Sequence, residues 1–408
     1  MSDQDASRYM RRALALAARA TGDTSPNPLV GAVVVREGRV VGEGYHRRAG
    51  SEHAEREALR RAGPRARGAA LYVTLEPCVH RGRTPPCAGA IVAAGIARVV
   101  IAIEDPDARV RGRGIRFLRR TGIDVEVGDG AAAAREQNRA YIKHRSTGSP
   151  FVTLKIAQTR DGFVAARKGE RTPITGAAAA RETRRERIEN DVVMIGVDTA
   201  IVDDPQLTVR PPHARAVPYI RVVVDSRGRI PLSSHLVRDQ RVARTIVATT
   251  SAMQRALRDA LKRKRVQVII CKSTRRGRVD LRDLLARLGR QGHLSVLCEA
   301  GPTLARALLT ARCVDRILWF IAPTRLDGTR PGFKAVEAPS APRAHIVGVR
   351  RVGRDVLVSA IPEVQRSSRD SSRTKARSSA SARRRARAGS SSRMRASATA
   401  KRRARAST

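Results

Sequence analysis

The sequence predicts an α/β protein of two successive domains followed by a basic, low-complexity tail. Three observations predict it. First, β-branched runs alternate with segments of helical period up to residue 149, the pattern of a sheet with crossover helices. Second, after the Gly-Ser-Pro break in "RSTGSP" a new series of the same kind starts at Phe151 and runs to about Ala360. Third, from Ile361 the chain turns to Arg, Ser and Ala without apolar period, a composition that predicts disorder because it offers little surface to bury. The expected boundaries are 1–149, 150–360 and 361–408.

In order, "SRYMRRALALAARA" has a helical stripe with Ser7 placed to cap it. "LVGAVVVREGRVVGEGYH" reads as a hairpin about "EGR". "HAEREALRRAG" is a helix ending at Gly63, ahead of Pro64. "AALYVTLEPC" is a buried strand entering a loop, and "CAGAIVAAGIARVVIAI" is helix, glycine turn and strand. "IDVEVG" is a further short strand, and residues 145–150 read as a linker. In the second series, "FVTLKIA", "DVVMIGVDTAIV", "YIRVVVDS", "RTIVATT", "VQVIICKS", "HLSVLCEAG" and "DRILWFIAPT" read as strands.

Composition narrows the function classes. The 408 residues carry a net charge of +44, and the stretch 361–408 contributes 15 Lys/Arg against two Asp/Glu. The body is therefore basic too, which reads as a solvated, arginine-rich surface. No run approaches the roughly 18 apolar residues of a membrane span, and the N-terminus lacks the apolar core of a signal peptide. The expectation is a soluble, cytoplasmic chain. Five cysteines, an odd number, argue against a disulfide framework in a reducing compartment.

Two of those cysteines stand in "TLEPCVHRGRTPPC", each after a proline, and "SEHAEREAL" precedes them with His53-Ala54-Glu55. A zinc deaminase needs three protein ligands, an open position for water, and a carboxylate that moves protons without binding the metal. H-x-E followed by Pro-Cys supplies that set. His53, Cys78 and Cys87 are the candidate ligands, and Glu55, two residues on in the same first helical turn, is the candidate proton shuttle. Each element alone is weak: HAE occurs on many helices, and the cysteines are nine apart where deaminases commonly have C-x-x-C. The joint order carries the reading. His80 is a competing ligand by type, but its place inside the loop suits substrate contact or loop structure better. Cys271, Cys298 and Cys313 fall in predicted strands or at a helix end and read as core.

"PNPLVGAVVV", "GEGYHRRAGSEHAE" and "TLEPCVHRGRTPPC" together resemble the deaminase domain of the bifunctional riboflavin-biosynthesis family. That family pairs a diaminohydroxyphosphoribosylaminopyrimidine deaminase with a 5-amino-6-(5-phosphoribosylamino)uracil reductase. The long "HRGRTPP" insert between the cysteines matches it. The resemblance implies a zinc cytidine-deaminase-like fold, zinc on His53, Cys78 and Cys87, and Glu55 as the proton carrier. It implies pyrimidine contacts from Asn27 and His46, although Asn27, between two prolines, also suits a simple turn. Glu52 stands where the family has proline, outside the ligand set.

The second series has neither G-x-G-x-x-G nor a P-loop. Its "CEAGPTLARALL" is a strand end, a Gly-Pro turn and a helix start, whose backbone N–H groups suit a phosphate or merely mark a helix. "LKIAQTRDG", "ITG", "VVMIGVDTAIVDDPQLTVR", "VVVDS" and "EAGPTLA" are similar to the family's reductase domain, which is dihydrofolate-reductase-like and uses NADPH. The resemblance implies a cofactor site at Ala157, Thr199, Asp203, Ser226, Gly301, Pro302, Thr303 and Leu304. It implies substrate contacts from Arg187, Leu207, Arg210 and Glu299, and hydride delivery to C1 of the opened ribose. The chain departs from the family at Thr159, at Arg171, Thr172 and Pro173, where a serine and a tryptophan are usual, and at "ERIEN" around Arg187. Arg171 in that position is a candidate phosphate contact.

The implied partners are a phosphoribosylaminopyrimidine, a second copy of the chain, and nucleic acid held non-specifically by the tail. The alternatives are a deaminase with a degenerate second domain, or a zinc deaminase acting on nucleic acid. The basic charge favours the latter; the long inter-cysteine insert and the second domain argue against it.

Overall fold

Valine dominates the strands of the first sheet because helices lie against both of its faces. In the computed structural model, which describes residues 7–80, 85–209, 218–327, 335–340 and 342–363, helix α1 (Arg8–Ala18) starts at Ser7, whose Oγ accepts the Met10 N–H at 3.3 Å. The strands β1 (Gly31–Arg36) and β2 (Arg39–Tyr45) form the expected hairpin, with Glu37 and Gly38 both at positive φ. That left-handed pair matches the strand twist. Strand β3 (Ala70–Val73) is antiparallel to β1, while β4 (Arg98–Ile101) and β5 (Asp124–Val127) continue parallel, giving the order β2-β1-β3-β4-β5.

One face packs α2 (Ala54–Ala62), α3 (Cys87–Ala93) and α4 (Arg113–Arg120) through Ala58, Ile91 and Leu118. The other packs α1, α5 (Ala131–Gln137) and α6 (Arg139–Thr147) through Met10, Ala134 and Tyr141. The segment expected to be a linker is not one. Its residues 145–147 complete α6, Gly148 ends the helix in the left-handed conformation, and the Gly148 carbonyl packs on Gly289 so closely that a Cβ there would lie 2.1 Å away.

The second sheet has nine strands: β6 (Phe151–Thr159), β8 (Val192–Gly196), β9 (Ile220–Val224), β10 (Thr245–Thr249), β11 (Gln267–Ile270), β12 (Ser295–Glu299), β13 (Arg316–Ala322), β15 (Ala344–Val352) and β16 (Asp355–Pro362). The order is β11-β10-β9-β8-β12-β6-β13-β16-β15, parallel up to β13 and antiparallel for the last two. A two-stranded piece pairs β7 (Phe163–Ala165) with β14 (Val336–Glu337). The crossovers include α7 (Ala177–Glu189), α8 (Val197–Asp203), α9 (His235–Arg238), α10 (Arg255–Arg263), α11 (Leu281–Arg290) and α12 (Pro302–Thr310).

Two readings need correction. "DVVMIGVDTAIV" is a strand only to Gly196; Val197 onward is α8, because the chain leaves the sheet and caps a helix at its edge. The β15–β16 hairpin lay in sequence where strands were not expected: β15 is exposed nearly throughout, and β16 buries only isolated residues such as Leu357 and Ala360 rather than a continuous apolar run. The described chain up to Pro362 is one compact unit containing both sheets. The tail from residue 364, and the expectation of disorder placed on it, lie outside the described residues. No helix among the described residues is long and apolar enough to cross a membrane.

Candidate active sites

The first site forms where α2 and α3 begin beside the end of β3. His53 is the extended residue preceding α2, and Glu55 follows in its first turn. Helix α2 is held on β2 by Glu57, which is buried, accepts the Tyr45 N–H at 3.2 Å and pairs with Arg47 at 3.0 Å and Arg61 at 2.8 Å. Cys87 opens α3 after Pro86, and its N–H points at Cys78 Sγ, 3.4 Å away. The Cys78 carbonyl accepts the Ala88 N–H at 3.1 Å. Cys78 is thus seated at a helix start, where positive backbone dipoles favour a thiolate.

His53 Nδ1 lies 3.2 Å from Cys87 Sγ and 3.7 Å from Cys78 Sγ, and the three donor atoms lie within 4.8 Å of one another. Tetrahedral zinc with N and S ligands separates its donors by roughly 3.3–3.8 Å, given bond lengths of about 2.0 and 2.3 Å. One imidazole and two thiols at these spacings fit zinc. Hydrogen bonding from Cys87, then from His53, brings the Cys78 thiol down to about 4, so one donor is already anionic at neutral pH. Among the described residues this is the group able to hold a metal, and His80 is not part of it.

Glu55 is 4 % exposed, and burial raises its pKa above the usual carboxylate range. His46 is buried and stacks edge-on to His53 at 5.5 Å between ring centroids. Its Nδ1 lies 3.2 Å from the Glu52 carbonyl, and its Nε2 lies 3.0 Å from Asn27 Nδ2. Burial lowers the His46 pKa, so the ring is neutral: Nδ1–H donates to Glu52, and Asn27 donates to Nε2. Asn27 and His46 are therefore hydrogen-bonded to each other beside His53. Asn27 also lines a cavity of about 230 Å³ at the seam between the two halves, with Asn138, Arg139, Glu189 and Asp191.

Sequence reasoning missed Glu76, two residues before Cys78. It is buried and accepts four backbone N–H groups: Asp105 at 3.1 Å, Gly112 at 2.9 Å, Gly114 at 2.8 Å and Ile115 at 3.2 Å. The loop between β4 and α4 is wrapped around it. A carboxylate inside an otherwise apolar strand end was the available signal.

The second site lies at the carboxyl ends of β6, β8 and β12, where open α/β sheets take ligands. Helices α8 and α12 start there side by side. Gly301 precedes α12 with Pro302 in its first turn, and a Cβ at Gly301 would be 3.1 Å from Thr199 Oγ1. Leu304 packs against Gly196. Asp203 ends α8 with Arg171 3.9 Å away, and burial raises its carboxyl pKa while Arg171 pulls the other way. Thr199, Asp203, Arg171 and residues 301–304 are thus brought to one edge. Ser226 follows β9 at the same end, but its Oγ accepts the Val279 N–H at 3.0 Å. Ala157 is half-buried on β6, packed with Leu318 and Phe320.

Arg187 and Glu299 meet in a two-pronged pair, Nε to Oε1 at 2.5 Å and Nη2 to Oε2 at 2.9 Å. Arg187 Nη1 also donates to the Thr208 carbonyl at 2.9 Å. Leu207, with φ of 49°, is buried beside them. Arg210 lies outside the described residues. Lys155 went unnoticed in the sequence: it is the register neighbour of Glu299, and burial lowers its pKa while Glu299 opposes that. A lysine between Leu154 and Ile156 on a central strand was the signal. Cys271 and Cys298 are buried and Cys313 half-buried, all free thiols, as core residues should be; burial pushes the Cys298 thiol well up.

The model of the cytidine and deoxycytidylate deaminase zinc-binding region matches residues 3–103, and that of the RibD C-terminal domain matches residues 150–358. The riboflavin biosynthesis protein RibD of Escherichia coli is 40 % identical over 367 residues, covering 86 % of this chain and 97 % of that protein. The RibD of Aquifex aeolicus is 43 % identical over 315 residues, covering 77 % and 86 %. Among solved structures, Acinetobacter baumannii RibD superposes with a TM-score of 0.78 at 36 % identity, over 89 % of this chain and all (100 %) of that one. The Thermotoga maritima diaminohydroxyphosphoribosylaminopyrimidine deaminase/5-amino-6-(5-phosphoribosylamino)uracil reductase gives 0.74 at 31 %, over 87 % and 98 %. A deaminase-type metal cluster in the first half and a RibD-type second half, matched end to end by whole relatives, make this chain a member of the RibD family of riboflavin biosynthesis proteins.

Proposed function

We propose that the chain catalyses two successive steps of riboflavin biosynthesis. Residues 1–149 deaminate 2,5-diamino-6-(5-phosphoribosylamino)pyrimidin-4(3H)-one. Residues 150–360 reduce the ribosyl group of the product to ribityl with NADPH. The single observation that carries the reading is the His53–Cys78–Cys87 cluster with buried Glu55 beside it, in a chain that also holds the RibD reductase half.

In the first step His53, Cys78 and Cys87 hold zinc, which when bound makes water a nucleophile near neutral pH. Glu55, its pKa raised by burial, is placed to take two protons from the water at its carboxylate one after the other, delivering the first to the ring nitrogen and the second to the leaving amine. Asn27 and neutral His46 orient the pyrimidine edge. In the second step Ala157, Thr199, Asp203, Ser226 and residues 301–304 seat the dinucleotide, while Arg171, Arg187, Leu207, Arg210 and Glu299 hold the phosphoribosyl group. The dinucleotide, when bound, would supply the hydride for C1, and the protein's part is to orient the two molecules.

The test is a coupled assay on zinc-loaded protein with the diaminopyrimidine substrate, with and without NADPH. Ammonia release together with NADPH oxidation establishes both steps. Ammonia without NADPH oxidation means a deaminase that carries a damaged or repurposed second half. Silence in both channels with zinc bound removes the substrate assignment and turns attention to nucleic acid.

The chain works in the cytoplasm, a setting that suits five free cysteines. It pairs with a second copy, a reading supported by Ile346, Val347 and Val349 standing exposed on edge strand β15. Sedimentation of the full chain tests it. The stretch 361–408 attracts nucleic-acid phosphates without sequence preference. Removing it should abolish salt-sensitive retention on a DNA column.

A further inference from the structure

Three consecutive backbone carbonyls of the loop after α8 are each taken by a different inward side chain. Arg221 Nη1 donates to the Gln206 carbonyl at 3.1 Å, Tyr219 Oη to the Leu207 carbonyl at 2.9 Å, and Arg187 Nη1 to the Thr208 carbonyl at 2.9 Å. In a strand successive carbonyls alternate in direction, so donors on one side cannot reach three in a row. The loop manages it by a left-handed residue: Leu207 has φ of 49° and turns its side chain into the core.

Arg221 makes an unusual anchor. It is the second residue of β9, its side chain is fully buried, and its Nη2 reaches the carbonyls of Asp239, at 2.8 Å, and Ala243. Those carbonyls belong to the segment between α9 and β10, so one guanidinium ties the loop to a second segment of the sheet edge. A desolvated arginine is costly unless its donors are used; here Nη1 and Nη2 use three main-chain oxygens, while the buried Nε has no partner. A hydrophobic residue at 221 would fill the strand interior at less cost; what it would not do is fix the height of Gln206.

We propose that Arg221 and Tyr219 are positioning residues for reductase substrate binding. They hold residues 206–208 in the one conformation in which Thr208 accepts from Arg187 while Arg187 keeps both of its other contacts to Glu299. The inference rests on the reading that Arg187, Leu207 and Glu299 hold the phosphoribosyl substrate. Loosening the clamp lets the loop carbonyls move and frees Arg187 to swing, which weakens substrate binding and leaves the dinucleotide edge at Thr199 and Gly301 in place.

The test uses the full chain with Tyr219→Phe and Arg221→Lys, and Arg187→Lys as the direct probe of the substrate site. Reductase KM and kcat are measured on the deaminated substrate, beside NADPH affinity by fluorescence and the thermal midpoint. Losing one buried hydrogen bond corresponds to about a fivefold change. Tyr219→Phe should raise KM about fivefold, and Arg221→Lys about tenfold or more because lysine cannot reproduce the fork. NADPH affinity should stay within about twofold. If Arg187→Lys raises KM but Tyr219→Phe and Arg221→Lys do not, the clamp is refuted and the substrate site stands. If KM, NADPH affinity and midpoint worsen in parallel, the residues are merely structural and the proposal fails. If Arg187→Lys leaves KM unchanged, the substrate reading fails and takes the proposal with it. Should Arg221→Lys not fold, Tyr219→Phe alone decides, since it removes one hydroxyl and little volume.

Discussion

At the scale of single residues, chemistry was legible wherever a residue type is rare in its setting. Histidine, glutamate and two cysteines after prolines announce a metal and a proton carrier before any contact is known. Glu55→Gln removes the proton carrier and keeps the volume. Its ammonia release should fall by about 10²–10⁴-fold with zinc content unchanged, measured by metal analysis and a steady-state assay on the same sample. A second residue makes a pH prediction. Asp105 is buried beside the Glu76 and Asp107 carboxylates, with the Tyr141 hydroxyl 3.1 Å away. Burial, chiefly, raises its pKa from 3.8 to about 6. The folded state therefore binds this proton more tightly than the unfolded chain, and stability is lost as pH rises from about 4 through about 6. Asp105→Asn should raise the thermal midpoint at pH 7.5 and change it less at pH 4.5; an equal shift at both values would contradict the assignment.

At the scale of elements, periodicity located most strands and helices, and it failed where an element is set by what it leaves rather than by what it buries. The helix α8 reads as strand because Val197, Ala200, Ile201 and Val202 are β-branched or small. Only the turn off the sheet at Gly196 makes them helical. The β15–β16 hairpin escaped because β15 mixes exposed Ile346, Val347 and Val349 with His345, Arg350 and Arg351 and so shows no clear alternation. Glycines record the close crossings. A Cβ at Gly44 on β2 would lie 2.6 Å from the Ala54 carbonyl and 2.8 Å from the Ala58 nitrogen, both in the backbone of α2. Gly44→Ala must push α2 outward, and His53 immediately precedes α2. The expected result is a loss of about 1–3 kcal/mol together with weaker zinc retention against a chelator. A destabilised protein that holds zinc as firmly as before would show that the crossing does not position His53.

At the scale of the whole molecule, the halves are docked rather than strung together. Ser25 Oγ donates to Asp191 at 2.8 Å, His144 Nε2 donates to the Gly289 carbonyl at 2.9 Å, and Lys143 pairs with Asp315. Yet the two candidate sites share no residue, so their chemistry should separate. Stripping zinc should abolish ammonia release and leave NADPH oxidation on the supplied deaminated intermediate at about its original rate. Loss of both would mean that the metal also stabilises the second half.

The donor set, the two α/β series and the family resemblance follow from local sequence, because ligand chemistry and hydrophobic period are properties of short stretches. What the tertiary structure alone decided is which distant residues meet. Arg187 finds Glu299 across 112 positions. Glu76 gathers a loop nearly 40 positions away, Gly114 being 38 from it. Arg221 reaches the loop through the order of strands, which composition does not encode. These contacts depend on how crossovers stack the strands, and a one-dimensional pattern carries no record of that stacking.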